Sequence, residues 1–107
     1  MYVISRVLTF KKGYRDYIET MFNQEPLMKK HQGFIRRDVL LNDRDPEVDV
    51  IRVLIYWENK EAFYRFEGSP EHIAMHQQKD HPHHQKPEGL IDSKRESFIL
   101  IHSDRHE

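Results

Sequence analysis

The sequence predicts an α+β domain in which helices cover one face of a single antiparallel sheet. Two observations on its 107 residues support this prediction. Four segments rich in β-branched and aromatic residues read as strands, and segments with helical periodicity lie between them in the order β-α-β-β-α-β. The two middle strands follow each other across a short polar turn, without an intervening helix, which favours antiparallel pairing.

The first strand and the first helix follow from their periodicity. Residues 2–10 alternate between two faces, because successive side chains of a strand point in opposite directions. Gly13 marks the turn after this strand. The apolar positions of the next segment recur every three or four residues, as in an amphipathic helix, at Tyr14, Tyr17, Ile18, Met21 and Phe22. Pro26 interrupts that helix, and Leu27 and Met28 extend the helical pattern by a turn or two.

The middle strands occupy residues 34–41 and 48–57. Gly33 precedes the first of them, and the polar turn of residues 42–47 separates the two. The second is the strongest strand pattern in the chain. Its apolar face consists of Ile51, Val53, Ile55 and Trp57.

Two helices and a last strand complete the chain. Asn59 is a favourable N-cap for a helix over residues 60–67, which Gly68 ends. Ser69 caps a second helix with Pro70 at its first position, and we expect that helix to reach about Lys79. Residues 80–88 contain two prolines and form a loop, and residues 91–102 form the final strand.

This order of elements is typical of a ferredoxin-like fold built as one domain over residues 1–107. Helices on one side leave the other face of the sheet without a cover. If that face is apolar as well, two sheets packed face to face would form a dimeric barrel. Only 37% of the residues are hydrophobic, so a subunit interface would add burial that a small domain lacks.

Composition excludes several classes of protein. The absence of cysteine excludes disulfides, thiolate nucleophiles and cysteine-based zinc sites. A net charge of −1 provides no general attraction for nucleic acid. The sequence has no apolar run of the ~20 residues that cross a membrane, and no secretion signal. We therefore expect a cytoplasmic homodimer that binds neither nucleic acid nor a membrane.

Arg6 interrupts an otherwise apolar strand face that it shares with Tyr2, Ile4, Leu8 and Phe10. A buried guanidinium requires an acidic partner or a wet cavity. One interpretation is a cavity between sheet and helices, where Arg6 meets an anionic ligand group such as a carboxylate. The alternative is an internal pair with an aspartate or glutamate, or a side chain that reaches solvent.

His72 and His76 are four residues apart on the last predicted helix, so they lie on the same side. One hypothesis is a divalent metal site with a third ligand among His81, His83 and His84. The other is that His76 alone acts as an axial ligand or pocket base, because a neutral imidazole binds iron, including haem iron. An ordinary half-exposed histidine is the simplest alternative.

Trp57, Phe63 and Phe66 supply aromatic surface near the same helices. Aromatic residues at this spacing most often belong to a core, but planar ligands also bind between such walls. The sequence contains no catalytic Ser-His-Asp order, no glycine-rich phosphate loop and no paired-carboxylate signature.

Four segments resemble the antibiotic biosynthesis monooxygenase superfamily, and within it the haem-degrading IsdG-type and HmoA-type branch. They are VLTFKKG, HQGFIRRDVLL, WENKEAFYRFEGSPEHIAMH and KPEGLIDSKRESF. The third is the most specific, with a strand-ending Trp, an Ala-Phe helix start, a Ser and a closing His. The resemblance covers nearly the whole chain. It implies a ferredoxin-like fold, a dimeric barrel and a pocket between helices and sheet in each subunit.

In the haem-degrading branch that pocket holds haem with a histidine ligand, an asparagine and a tryptophan. The resemblance places the ligand on His76, the tryptophan position on Phe66 and the asparagine position on Arg6. It therefore implies that these three residues form the catalytic and cofactor-binding set, with His76 binding the haem iron. Together with the capping pattern of the last helix, the resemblance favours His76 alone as an axial ligand or pocket base, and we then expect His72 at the surface. Phe66 retains aromatic bulk without the indole, and Arg6 retains a donor but adds charge.

Three functions are consistent with these residues. The first is a haem-degrading monooxygenase that opens the porphyrin with O₂ and an external reductant and releases iron. The second is a cofactor-independent monooxygenase of a small aromatic or quinol substrate, in which His76 and Arg6 polarise the substrate. The third is a haem-binding dimer without turnover.

Overall fold

The computed structural model describes residues 1–77 and 86–107, with the side chains of residues 76 and 77 excluded. The strands are β1 (Tyr2–Lys11), β2 (Phe34–Asn42), β3 (Val48–Trp57) and β4 (Leu90–Ile99), and the helices are α1 (Arg15–Asn23), α2 (Lys60–Glu67) and α3 (Pro70–Gln77). A short 3₁₀ helix, Leu27–Lys30, follows α1 after Pro26.

The four strands form one sheet in the order β2-β3-β1-β4, and every neighbouring pair is antiparallel. This confirms the predicted α+β, ferredoxin-like fold. The two long central strands pair along their whole length, from Tyr2 opposite Trp57 to Lys11 opposite Val48. Because paired residues lie on the same side of a sheet, this register determines which residues face the helices.

Helices lie against one side of the sheet, which we call the covered face. Even-numbered residues of β1 and odd-numbered residues of β3 point toward it, and most of them are buried. The core cluster consists of Tyr2, Ile4, Leu8, Phe10, Ile18, Ile51, Val53, Ile55, Trp57, Ala62, Phe63 and Phe66. Arg6 lies in the middle of this face and is only half-buried.

Local hydrogen bonds explain where the helices α2 and α3 begin. The Asn59 side chain accepts a hydrogen bond from the Ala62 N–H at 2.8 Å, as an N-cap does. The Ser69 hydroxyl donates to the Phe66 carbonyl at 2.7 Å and accepts from the His72 N–H at 3.3 Å. Ser69 therefore ties the end of α2 to the start of α3 and fixes the angle between them.

The final strand ends earlier than predicted, at Ile99 instead of residue 102. Ile99 lies opposite Tyr2, the first residue of β1, and the Leu100 N–H then donates to the Met1 carbonyl at 3.0 Å. Since β1 begins at Tyr2, β4 has no further β1 residue to pair with beyond this point, and the ladder stops there. The predicted end of α3 at Lys79 and the histidines His81, His83 and His84 lie outside the described residues.

The opposite side of the sheet, the open face, is mixed in character. In its two central strands it carries apolar side chains, namely Val3, Val7, Val50, Leu54 and Tyr56. These are interrupted by Arg52, whose guanidinium donates to the Ser5 hydroxyl at 3.0 Å. On the edge strand β4 the same face carries the charged residues Asp92, Lys94 and Glu96 and the exposed Phe98. Within residues 1–77 and 86–107, no helix combines the length and apolar character needed to span a membrane.

Candidate functional site

Two adjoining cavities lie between the covered face and the helices. The larger, about 560 Å³, is bounded by the end of α1, the 3₁₀ helix and α3. The smaller, about 310 Å³, extends toward α2 and β4. Both lie within the ~300–1,000 Å³ of typical ligand pockets. Five residues line both cavities, namely Arg6, Met28, Ile55, Phe66 and His72.

Arg6 projects into this space from the middle of β1, between Val53 on one neighbouring strand and Arg95 on the other. Burial, and secondarily the positive charge of Arg95, lower the pKa of its guanidinium. Among the described side chains, Arg6 has neither a hydrogen-bond partner nor an acid within ion-pair distance. The predicted cavity at Arg6 is therefore present, and the predicted internal acid pair does not occur among these residues.

Two further arginines border the cavities. Arg95 lines the smaller one, where a guanidinium nitrogen approaches Glu67 at 3.7 Å and the group lies 5.4 Å from the centre of the Phe63 ring. Arg37 lines the larger one and donates to the Phe22 carbonyl at 2.8 Å. Burial lowers the pKa of Arg37 as well. Three arginines thus line the two cavities, together with Glu25 and Glu71 in the larger and Glu67 in the smaller.

Phe66 lies at the centre of an aromatic cluster. Its ring centre is 5.4 Å from that of Trp57, 4.7 Å from that of His72 and 5.3 Å from that of His31. The Trp57 Nε1 is buried and has no hydrogen-bond partner among the described residues. The site thus has an aromatic wall that includes the His72 imidazole, and the His31 ring packs against Phe66 outside the cavity lining.

His72 does not lie at the surface as expected. It is half-buried against Phe66 and lines both cavities. Its Nδ1 lies 3.0 Å from the Glu67 carbonyl oxygen. Because a carbonyl can only accept, Nδ1 is the donor in this contact. The turn at Gly68 and Ser69 folds α3 back over Phe66, and this turn carries His72 inward.

The position of His76 lies one helical turn beyond His72 in α3, and its side chain lies outside the described residues. The structure therefore brings Arg6 and Phe66 together and adds His72 to them. No group of three or more histidine, aspartate or glutamate side chains suited to a metal is found within the described part of the chain. The other loop histidines of the divalent-site hypothesis lie outside that part.

Sequence reasoning missed Arg37, Arg95 and His31. Arg95 lies in the polar run SKRESF, and only the strand register shows that it faces Arg6. A third cavity of about 510 Å³ lies at the sheet edge between α1 and β2, and none of the predicted site residues lines it.

Comparison with known proteins agrees with this architecture. The model of the family "Antibiotic biosynthesis monooxygenase" matches residues 1–78. The haem-degrading monooxygenase HmoA of Bacillus subtilis is 34% identical over 96 residues, which is 88% of this chain and 85% of HmoA.

Solved structures share the fold at lower identity. A Bacillus cereus protein, described as a candidate antibiotic biosynthesis monooxygenase, superposes with a TM-score of 0.79 at 24% identity and covers 98% of this chain and 97% of its own. The haem-degrader MhuD of Mycobacterium tuberculosis, with two haems bound, gives 0.68 at 19%, covering 96% and 98%. The cofactor-independent oxygenase SnoaB of Streptomyces nogalater gives 0.60 at 18%, covering 95% of each chain.

The family model covers well over half of the chain, and HmoA exceeds 30% identity across most of both sequences. The ferredoxin-like sheet and the cavity beneath its helices are consistent with that match. This chain belongs to the antibiotic biosynthesis monooxygenase family.

Proposed function

We propose that this protein binds haem between the covered face and the helices and acts as a monooxygenase that opens the porphyrin and releases iron. The observation that carries the proposal is the pair of adjoining cavities with Arg6, Phe66 and His72 on their common wall. The 34% identity to the haem-degrading HmoA supports the same ligand. O₂ and an external reductant are the co-substrates of this reaction.

The residues present are suited to haem. Phe66, Met28 and Ile55 offer an apolar surface for a flat macrocycle, and arginines offer partners for its two carboxylates. We propose His76 as the axial ligand, on the family pattern, and His72 as a neighbour in the pocket wall. Bound haem would supply an iron that activates dioxygen. The protein would orient the macrocycle through Phe66, hold a carboxylate through Arg6 and exclude water.

The test is a titration of the purified protein with haemin, followed at the Soret band, and then addition of ascorbate in air. We expect a Soret shift on binding and a loss of the band on reduction. Absence of any shift would reject haem as the ligand. A band that persists under reductant would leave a haem-binding protein without turnover.

Three histidine variants identify the ligand. His76→Ala should abolish the Soret shift, whereas His106→Ala, an exposed position near the C-terminus, should leave it unchanged. His72→Ala should weaken binding less than His76→Ala, because we place His72 in the wall. A spectrum lost in His72→Ala and retained in His76→Ala would reassign the ligand to His72.

The second candidate function is a cofactor-independent monooxygenase acting on a small aromatic or quinol substrate. It is favoured by the replacements at two positions, since Arg6 and Phe66 stand where the haem-degrading branch has asparagine and tryptophan. The fold is also shared with the cofactor-independent oxygenase SnoaB. Oxygen consumption with a quinol-type aromatic, in protein that gives no Soret shift with haemin, would establish this function in place of the first.

We also propose that the protein is a homodimer joined through the open face. The apolar central residues of that face, such as Val7 and Leu54, would be covered by a second copy, in keeping with the barrel expected from the sequence. Light scattering should give twice the chain mass of 13.0 kDa. Leu54→Glu should reduce it to the monomer mass, while Tyr64→Glu, at a position of α2 that is 52% exposed, should not. A wild-type protein of monomer mass contradicts the proposal.

A further inference from the structure

The smaller cavity contains two arginines directly opposite each other on neighbouring strands. Arg6 of β1 and Arg95 of β4 are register partners, and both line this cavity. Side chains at such positions have Cβ atoms about 5 Å apart, and like charges there destabilise a sheet. The arrangement costs free energy in the ligand-free protein, and the cost rises with burial because Arg6 is withdrawn from water.

The acidic side chains nearby are Glu67 in the smaller cavity and Glu25 and Glu71 in the larger one, and none of them forms an ion pair with Arg6 among the described residues. Of the charged side chains that line the smaller cavity, two are arginines and one is glutamate. Glu67 approaches Arg95 at 3.7 Å, which is long for a charge-assisted hydrogen bond. Arg6 has no acidic partner among the described residues. An unpaired guanidinium on the wall of a cavity is therefore available to an anion from outside.

The surroundings define what kind of anion would bind. The same cavity is lined by Trp57, Phe63 and Phe66, so aromatic rings border the space beside the two guanidinium groups. The rings of Trp57 and Phe66 are the most nearly parallel, with 33° between their planes. The buried Trp57 N–H lacks a hydrogen-bond acceptor among the described residues, but it is enclosed by protein and does not face the cavity, so the two guanidinium groups remain the donors for an anion. A small inorganic anion would leave the aromatic surface uncovered. A planar ligand that carries a carboxylate would cover the aromatic rings and also pair with the guanidinium groups.

We propose that Arg6 and Arg95 together form a carboxylate-binding site that selects planar ligands bearing an acidic group. The inference rests on the proposed function, which already assigns a ligand carboxylate to Arg6. It deepens that function by giving Arg95, a residue outside the catalytic set, a role in specificity. Guanidinium groups bind carboxylates through two parallel hydrogen bonds, so two of them can hold one carboxylate from both sides or two carboxylates of one ligand. The pocket would discriminate between an acid and its ester with the same ring system.

Tryptophan fluorescence measures this discrimination directly. Trp57 is the single tryptophan of the chain, and it lines the cavity. The protein is titrated with two pairs of probes, iron-free protoporphyrin IX against its dimethyl ester, and 2-naphthoate against methyl 2-naphthoate. We expect the acid of a pair to bind about ten-fold or more tightly than its ester, the preference that charge-assisted hydrogen bonds confer. Arg6→Gln and Arg95→Gln should each remove most of that preference.

Arg65→Gln is the matched control, because it removes the same charge from an exposed position of α2 that lines neither cavity. It should retain the wild-type preference. Equal affinity for acid and ester in both pairs, no binding of any probe, or a preference that survives in both Arg6→Gln and Arg95→Gln would overturn the site. The naphthoate pair separates this result from the proposed function, since an acid preference there together with no Soret shift for haemin rejects haem while retaining the carboxylate site.

Discussion

The side chains at the two ends of the covered face of β1 are more deeply buried than the side chain in its middle. At one end Tyr2 and Ile4 are buried, with the Tyr2 ring centre 5.6 Å from that of Phe63 in α2. At the other end Leu8 and Phe10 are buried at 3% and 0% exposure. Between them the chain places Arg6, half-buried and without a partner among the described side chains. The side chains at both ends are therefore buried, even where Ile4 borders the smaller cavity, whereas Arg6 is only half-buried where the two cavities meet.

The difference shows how a small domain separates stability from binding. The two packed ends provide apolar burial, which stabilises the fold by roughly 25 cal/mol for each Å² removed from water. The middle carries a desolvated positive charge opposite a second one, which reduces that stability. A residue that costs stability and fills no packing role is better explained by a ligand than by the fold.

The largest loss in the free energy of unfolding should follow a substitution in the packed end beneath α2. Trp57 is 1% exposed and contacts the rings of Phe34, Phe63 and Phe66. Trp57→Ala should lower the free energy of unfolding by about 3–5 kcal/mol, through lost burial and the cavity left behind. Denaturation followed by far-UV circular dichroism measures this, because the variant has no tryptophan signal.

Tyr64→Ala is the matched control on α2, since Tyr64 is 52% exposed. It should change the free energy of unfolding by about 0.5 kcal/mol or less. A loss for Trp57→Ala of no more than about 1 kcal/mol would mean that this end of the sheet is less tightly packed than the structure indicates.

The next largest loss in the free energy of unfolding is expected from substitution of a glycine. Gly13 and Gly33 both have left-handed backbone angles, φ 97° and 93°, so alanine is strained at either position. A Cβ on Gly33 would also collide with the Cβ of Ala62 in α2, whereas one on Gly13 would meet nothing within 4 Å. Gly33→Ala should therefore cost about 3 kcal/mol and Gly13→Ala about 1 kcal/mol. Parallel urea denaturation measures both, and equal losses would show that β2 does not press closely on α2.

The elements of the fold could be predicted because their signals are local. The strand over residues 48–57, the Asn59 cap and the interruption at Pro26 all depend on neighbours within a few positions, and the structure contains each of them. Arg6 was found for the same reason, since a single charge breaks an alternating pattern. The inward position of His72 and the pairing of Arg6 with Arg95 were not found. Both depend on tertiary geometry, the first on the α2–α3 turn and the second on the β1–β4 register.

The smallest change in the free energy of unfolding is expected in the middle of β1, and it should be a gain and not a loss. Arg6→Met replaces a desolvated charge with an apolar side chain of comparable length, and it removes the repulsion from Arg95. We expect the free energy of unfolding to rise by about 1 kcal/mol, because replacing buried charge by apolar groups is often stabilising. Arg65→Met, at an exposed position of α2, should stay within about 0.5 kcal/mol of wild type.

If Arg6→Met were instead to destabilise the protein by 1 kcal/mol or more, Arg6 would be part of the packing, and the contrast between the ends of β1 and its middle would not hold. A gain in stability accompanied by weaker binding of the acidic probes would identify Arg6 as a residue retained for its ligand at the expense of the fold.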